Sequence, residues 1–298
     1  MKDNRGQKRQ YLGRFAPSPT GALHMGSLLT AMASYCEAKH NKGQWLLRIE
    51  DLDPPREIPG ASRKIITTLQ QLGFNIDQDI VYQSDKQRQS AYQEALDRLL
   101  SQSHLYSCGC SRNDLKNLAI TQHQCRNGTY RNSGNASIKL KVADQFIAFV
   151  DKIQGPYKKH LMSDCGDCVL KRKDQLFSYQ LAVVVDDHYQ GITDIVRGID
   201  LIESTPWQIY LNSILKYDKI NYAHIPILVN EQGQKLSKQT HATEIDCSEP
   251  LTPLLTAHAY LNQQPLKTKI NSTEQFWQHA ISHWDSSKIA GITSITVR

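Results

Sequence analysis

"RFAPSPTGALHMGSLLTAM", Arg14–Met32, sets Pro17, Pro19 and Gly21 within five residues, then His24-Met25-Gly26, then a helical run. Proline fixes φ and glycine frees it, so this is a stiff, pre-set loop. Behind it Leu28, Leu29, Met32, Tyr35 and Cys36 fall at helical spacing, and "NKG" stops the run. "YLGRFAP" reads as a short buried strand before the loop, and "QWLLRIEDLD" as a second strand after the helix. Strand, loop, helix, strand is a βαβ unit with its loop at the carboxyl end of the first strand. The amides of a helix N-terminus suit an anion. His24 can donate to a phosphoryl oxygen, and Gly26 leaves room for a flat base or ribose. Neither GxxxxGK[ST] nor GxGxxG occurs, so this is a phosphate loop of another kind.

Further along, "ASRKIITTLQQLGF" and "SAYQEALDRLLSQSHLY" are amphipathic helices. Cys108 to about Asn135 is polar, cysteine-rich and irregular, which reads as an insertion. Residues 137–190 read as several short strands: "SIKLKV", "FIAFVDKI" and "CVLKRKDQLFSYQLAVVVDD". "GITDIVRGIDLI" is also strand-like. "STPWQIYLNSIL" opens with Ser204, Thr205 and Pro206, an N-cap and first-turn signature, and continues as a helix. "AHIPILVNEQGQKLSKQTHA" gives a strand, a turn at Gly233 and a lysine-bearing loop, and Leu251 to Arg298 reads as short helices.

The chain has 298 residues, 40% hydrophobic and 21% charged, enough for a sizeable core and one large or two modest domains. No run approaches the roughly 18 apolar residues of a membrane span. "MKDNRGQKRQ" is basic with no apolar stretch behind it and reads as a disordered tail, not a secretory signal. A net charge of +6 permits a polyanionic partner without requiring one. Seven cysteines, an odd number, read as reduced cytoplasmic thiols, and their clustering points to metal.

"KLSKQ", Lys235–Gln239, places two lysines three apart around Ser237 in a loop after a strand. Alone, either this loop or His24 reads as an ordinary turn. Together, in this order and about 210 residues apart, they are specific. "PSPTGALHMGS" and "KLSKQ" resemble the two signature motifs of class I aminoacyl-tRNA synthetases. "RFAPSPTG", "HMGS" and "RIEDLDPPR" resemble the glutamyl and glutaminyl branch, and "FSYQLAVVVDD", "GITDIVRGIDLIESTPWQIYL" and "HIPILVNEQGQKLSKQ" continue it over residues 11–245. The resemblance implies an α/β fold: a class I, Rossmann-like nucleotide-binding core with a zinc-bearing insertion and a short helical C-terminal region. Expected boundaries are 1–105 for the first half of the core, 106–175 for the insertion, 176–245 for the second half and 246–298 for the helical stub.

Such an enzyme joins an amino-acid carboxylate to the α-phosphorus of ATP, which needs positioning and charge neutralisation more than a covalent nucleophile. His24, Lys235 and Lys238 are the expected catalytic residues. Pro19, Gly21, Gly26, Ser27 and Ser237 join them around ATP, whose Mg2+ would arrive with it. By resemblance Arg14 contacts a glutamate side-chain carboxylate with Ala16 and Ser18 nearby, Glu50 pairs with the α-ammonium, and Tyr179 and Arg197 complete the glutamate site.

Cys108, Cys110 and Cys125, with His123 two residues before the last, form a plausible tetrahedral Zn2+ set. The family pattern has a tyrosine four residues before the last cysteine, where this chain has Thr121. His123 is the expected fourth ligand and Tyr130 the alternative. "CGDC", Cys165 to Cys168, reads as structural, because strand, turn and strand are expected after it in place of the helix of a redox motif.

Only 60 residues follow Lys238, too few for a full anticodon reader. The chain is therefore similar to the glutamyl-Q tRNA(Asp) synthetase family. That resemblance implies L-glutamate, ATP and queuosine-bearing tRNA(Asp) as partners of a cytoplasmic monomer. Competing readings are a conventional glutamyl-tRNA synthetase core charging a tRNA 3′ end, a non-catalytic RNA-binding paralogue, and another nucleotidyl-transfer enzyme on the same scaffold.

Overall fold

The computed structural model describes residues 10–116, 123–128, 136–236, 243–266 and 269–297. β1 (Leu12–Phe15), α1 (Met25–His40) and β2 (Gln44–Ile49) form the expected βαβ unit, with Leu12 to Phe15 paired in parallel with Gln44 to Leu47. After α2 (Ala61–Gln71), β3 (Val81–Tyr82) extends this sheet beyond β2. A second parallel pair, β9 (Asp194–Gly198) and β10 (Asn221–Ile225), lies on the other side. Thr193 joins the two: its amide donates to the Leu12 carbonyl at 2.9 Å, and its Oγ1 accepts from the Leu12 amide at 2.8 Å. From β1 the chain runs outward to β2 and β3, and from β9 outward to β10. The carboxyl ends of β1 and β9 thus flank the point where strand order reverses, where open α/β sheets bind ligands.

Leu28, Leu29, Met32 and Cys36 are all buried and hold α1 against the sheet. The same core reaches the C-terminal region, α8 (Leu251–Tyr260) and α9 (Thr273–Ser282). Trp277 of α9 sits 4.8 Å from Tyr35 and 4.6 Å from Phe74, ring to ring, and its Nε1 donates to the Leu72 carbonyl. The C-terminal segment is not wholly helical. β12 (Ser294–Thr296) pairs in parallel with β11 (Ile227–Val229).

Between α3 (Lys86–Ser101) and α6 (Tyr179–Tyr189) lie, among the described residues, the short helices α4 (Arg112–Leu115) and α5 (Gln124–Asn127) and five strands. β4 (Leu105–Cys108), β5 (Ser137–Leu140) and β8 (Val169–Lys171) make an antiparallel sheet. β6 (Phe146–Asp151) and β7 (Gly155–His160) make a hairpin.

Two further sequence expectations are modified. "YQLAVVVDD" is the helix α6, not a strand. Leu181 to Asp187 are all buried, so the helix is covered all round, and its unbroken β-branched run carries no period to separate it from a central strand. Ser204 stands at the N-cap of α7 (Thr205–Ile214) with Pro206 in the first turn, as expected, but its side chain makes no capping bond, because a 3-10 turn from Ile199 runs straight into the helix. Its hydroxyl accepts from Gln180 instead, at 3.0 Å.

Candidate active site and metal centre

A cavity of about 590 Å³ opens at the switch point between β1 and β9. Arg14, Ala16, Ser18, Glu50, Tyr179 and Arg197 line it together with His24, Gly26, Ser27 and Lys235. Pro19 and Gly21 do not line it; they shape the loop that does. The Pro17 carbonyl accepts from the Glu50 amide at 2.9 Å and the Pro19 carbonyl from the Ile58 amide at 3.0 Å. Gly21 takes a positive φ of 140°, which glycine reaches at little cost. Ser237 and Lys238 lie outside the described residues.

Beside the cavity stands a buried ionic network. Arg14 reaches Asp187 through Nε at 3.1 Å and Nη2 at 3.3 Å. Arg48, fully buried, donates through Nη1 to the same Asp187 at 2.9 Å and through Nη2 to Glu50 at 3.4 Å. Burial opposes ionisation of Asp187, but Arg14 and Arg48 outweigh it and hold its carboxyl below the usual value. Glu50 shifts the other way: burial raises its carboxyl against the pull of Arg48 and Arg14.

Arg197 is held differently. Its Nε donates to His224 Nε2 at 3.1 Å, Nη1 to the Tyr179 hydroxyl at 3.2 Å, and Nη2 to Thr205 Oγ1 at 2.9 Å. Arg197 has no carboxylate ion-pair partner among the described residues. A buried guanidinium held by uncharged acceptors keeps its full charge for an anion in the cavity.

The same cavity is lined by the helix terminus. His24 is the N-cap of α1: Nδ1 accepts from the Ser27 amide at 3.4 Å, and Nε2 lies 3.1 Å from Ser27 Oγ. The first turn of this 16-residue helix has no acidic side chain of its own, so none of its own residues offsets its positive end. A Cβ on Gly26 would press on the His24 ring, 3.2 Å away, and glycine keeps that space open. The lysine-bearing segment comes alongside. Gly233 turns the chain, the Leu236 amide donates to the Leu228 carbonyl at 2.8 Å, and Lys235 pairs with Asp200. Beyond residue 242 the chain returns to the first motif, where the Ile245 amide donates to the Leu23 carbonyl at 3.0 Å. A second cavity of about 450 Å³ adjoins His24 and Gly26 here, lined by Glu244, Asp246 and Glu249.

Around the end of β4 and the start of α5, Cys108, Cys110, His123 and Cys125 converge, each offering one ligand atom within 4.8 Å of the others. Cys108 Sγ lies 3.4 Å from His123 Nε2, and Cys110 Sγ 3.7 Å from Cys125 Sγ. A tetrahedral site with metal–sulfur near 2.3 Å and metal–nitrogen near 2.0 Å has edges of about 3.5–3.8 Å, so this donor set fits a metal ion. The Tyr106 hydroxyl donates to Asp167 at 2.9 Å and lies 3.2 Å from His123 Nδ1, whose N–H it therefore accepts. That leaves the Nε2 lone pair facing the thiols, the tautomer a metal ligand needs. Thr121 and Tyr130 lie outside the described residues. In the "CGDC" stretch the working residue is Asp167, which also accepts from Arg126 at 2.8 Å, while Cys165 and Cys168 are free thiols.

Residues 11–249 match the family model described as tRNA synthetases class I (E and Q), catalytic domain. The chain belongs to this class I synthetase family. It is 43% identical over 279 residues to the glutamyl-Q tRNA(Asp) synthetase of Acinetobacter baylyi, covering 94% of each chain. It is 45% identical to that of Neisseria meningitidis serogroup A, over 94% of this chain and 97% of the relative. The solved glutamate-tRNA synthetase of Elizabethkingia anophelis shares the fold, with a TM-score of 0.75 and 24% identity over 96% of this chain and 68% of that one. This class I synthetase chain is accordingly a ligase-type enzyme. Among its described residues no helix is long and apolar enough to cross a membrane.

Sequence reasoning missed Asp187, His224 and Thr205, which hold the synthetase cavity's arginines, and Asp151, which holds His224. The only signals were two adjacent aspartates closing an apolar run and a histidine in "HIPIL". Neither says which side chain it meets.

Proposed function

We propose that the chain activates L-glutamate with ATP and transfers the glutamyl group to queuosine in tRNA(Asp). The observation that carries this is the single cavity shared by an uncompensated arginine, Arg197, and a helix N-terminus capped by His24. The arginine suits a carboxylate and the helix terminus a triphosphate. Arg14, Tyr179 and Arg197 hold the substrate carboxylates, and Glu50 takes the α-ammonium. Ala16 and Ser18 line the same cavity.

In the first step an α-carboxylate oxygen attacks the α-phosphorus. The bond to the β-phosphate oxygen breaks and pyrophosphate leaves. His24, the first amides of α1, Lys235 and Lys238 stabilise charge moving onto the leaving group, with Mg2+ entering on ATP. In the second step a queuosine hydroxyl oxygen attacks the glutamyl carbonyl, AMP leaves with the bonding electrons, and the hydroxyl proton is released. Support for queuosine as the acceptor comes from the relatives named above. Cys108, Cys110, His123 and Cys125 would hold one Zn2+, whose contribution is to cross-link β4 to the chain around α5.

The test uses labelled glutamate, ATP and three RNAs. tRNA(Asp) with queuosine should be labelled, and should still be labelled when its 3′ end is 2′,3′-dideoxyadenosine. tRNA(Asp) with guanine at the same position should stay unlabelled, because it lacks the cyclopentene hydroxyls. Equal labelling of the guanine form, or loss of label on the dideoxy-ended RNA, makes terminal aminoacylation the correct reading.

A further inference from the structure

Asp151 stands on the β6–β7 hairpin of the insertion, yet its carboxylate is 1% exposed and reaches the core sheet. Oδ1 accepts from the amides of Ile153 at 3.0 Å, Gln154 at 2.9 Å and His224 at 3.0 Å. Oδ2 meets His224 Nδ1 at 2.5 Å. Arg197 Nε always donates, so the His224 Nε2 it meets carries no proton; the proton of the neutral ring is on Nδ1, which donates to Asp151 Oδ2, and the carboxylate then accepts four hydrogen bonds. Nε2 of His224 is then a lone pair, and it faces Arg197 Nε, which is always a donor, at 3.1 Å. The contact is satisfied in this tautomer alone. Burial, the largest influence on His224, disfavours its charged form and agrees with a neutral ring.

We propose that Asp151 and His224 are positioning residues for the carboxylate-binding arginine: Asp151 fixes the His224 tautomer, and His224 turns Arg197 toward the cavity without neutralising it. This rests on the glutamate reading of the cavity. A carboxylate placed directly on Arg197 would orient it equally well but would spend its charge, as Asp187 does with Arg14. A neutral imidazole between the two orients the guanidinium and keeps the anion of Asp151 one ring away. The insertion hairpin thereby acts on the amino-acid site in the core.

Asp151→Asn is the decisive change. Its oxygen keeps the three backbone bonds, while its amide replaces Oδ2 and presents N–H to His224 Nδ1. The imidazole must then carry its proton on Nε2, donor against donor with Arg197. Histidine-labelled 15N NMR should find His224 protonated at Nδ1 in the unaltered protein and not in Asp151→Asn. In glutamate-dependent ATP–pyrophosphate exchange, the KM for glutamate should rise about tenfold or more in Asp151→Asn and His224→Leu, with the KM for ATP unchanged. His224→Gln, which can restore an acceptor near Nε2, should fall between. An unchanged tautomer in Asp151→Asn, or KM values for glutamate and ATP that rise together, overturns the proposal. If the unaltered protein shows no glutamate-dependent exchange, the functional reading fails, and the tautomer measurement, which needs no substrate, still decides for or against the relay.

Discussion

Arg14 and Asp187, 173 residues apart in the chain, meet through two hydrogen bonds of 3.1 and 3.3 Å in a buried pair. The pair joins the end of β1 to α6 beneath the candidate amino-acid site. Both bonds use Nε and Nη2, and neither uses Nη1. Arg14 thus has two duties: locking the sheet to the helix and presenting its remaining edge to the cavity. Arg14→Ala should therefore lower stability as well as glutamate affinity. Removing one partner of a buried pair costs about 3–5 kcal/mol, and the low end applies because Arg48 still pairs with Asp187. Urea unfolding measures the first effect and exchange kinetics the second. An unfolding midpoint equal to that of the unaltered protein would show that the pair holds nothing together.

The same network predicts a pH dependence. Asp187 has its carboxyl lowered on folding, and so does Asp151, where the His224 and backbone bonds outweigh burial. A carboxyl lowered on folding contributes stability that is complete above its unfolded value, about 3.9, and is lost as pH falls through the folded value. Glu50 has the opposite sign, since burial raises its carboxyl and favours the protonated form. Asp187→Asn should be less stable than the unaltered protein near neutrality, and the gap should shrink as pH drops below about 4. Urea midpoints over that range check this, and a gap that stays constant would contradict it.

The insertion should be metal-dependent. Protein purified without chelator should contain one Zn2+ per chain, and Cys110→Ser should lower that content. Tyr106→Phe is the sharper variant, because it removes no ligand. It takes away the acceptor for His123 Nδ1, 3.2 Å off, and such outer partners typically contribute about 10–100-fold in metal affinity. Competition with a chromogenic chelator would measure the change. Metal-free protein of undiminished stability and activity would reject the site.

What could be read from the sequence was what local pattern encodes. The loop from Pro17 to Gly26 and the period of α1 announce a βαβ unit because proline, glycine and helical spacing act within a few residues. Cys108, Cys110, His123 and Cys125 announce a metal set by spacing. α6 could not be read, since a helix buried on every side shows no polar face. Nor could which arginine is paired with a carboxylate. Arg14 and Arg197 look alike in sequence, and only the fold brings Asp187 to one and His224 to the other. The Asp151–His224 contact spans 73 residues, and nothing local at either end says which side chain it meets.

His24 makes two separable contributions. As the N-cap of α1 it satisfies the Ser27 amide, through a long 3.4 Å bond. As a cavity residue it faces the expected triphosphate. α1 is anchored by Leu28, Leu29, Met32 and Cys36, all buried, so losing the cap should cost about 1 kcal/mol and leave the fold intact. Losing one donor to the developing charge of a transition state typically costs about 100-fold or more in rate. His24→Ala should show both losses. Asparagine is among the best N-cap residues, so His24→Asn should recover the stability and none of the rate. Thermal unfolding and glutamate-dependent ATP–pyrophosphate exchange, run on the two variants side by side, separate the roles. If His24→Asn exchanges pyrophosphate at nearly the normal rate, the histidine only caps its helix, and the phosphate chemistry must be carried by Lys235, Lys238 and the backbone amides.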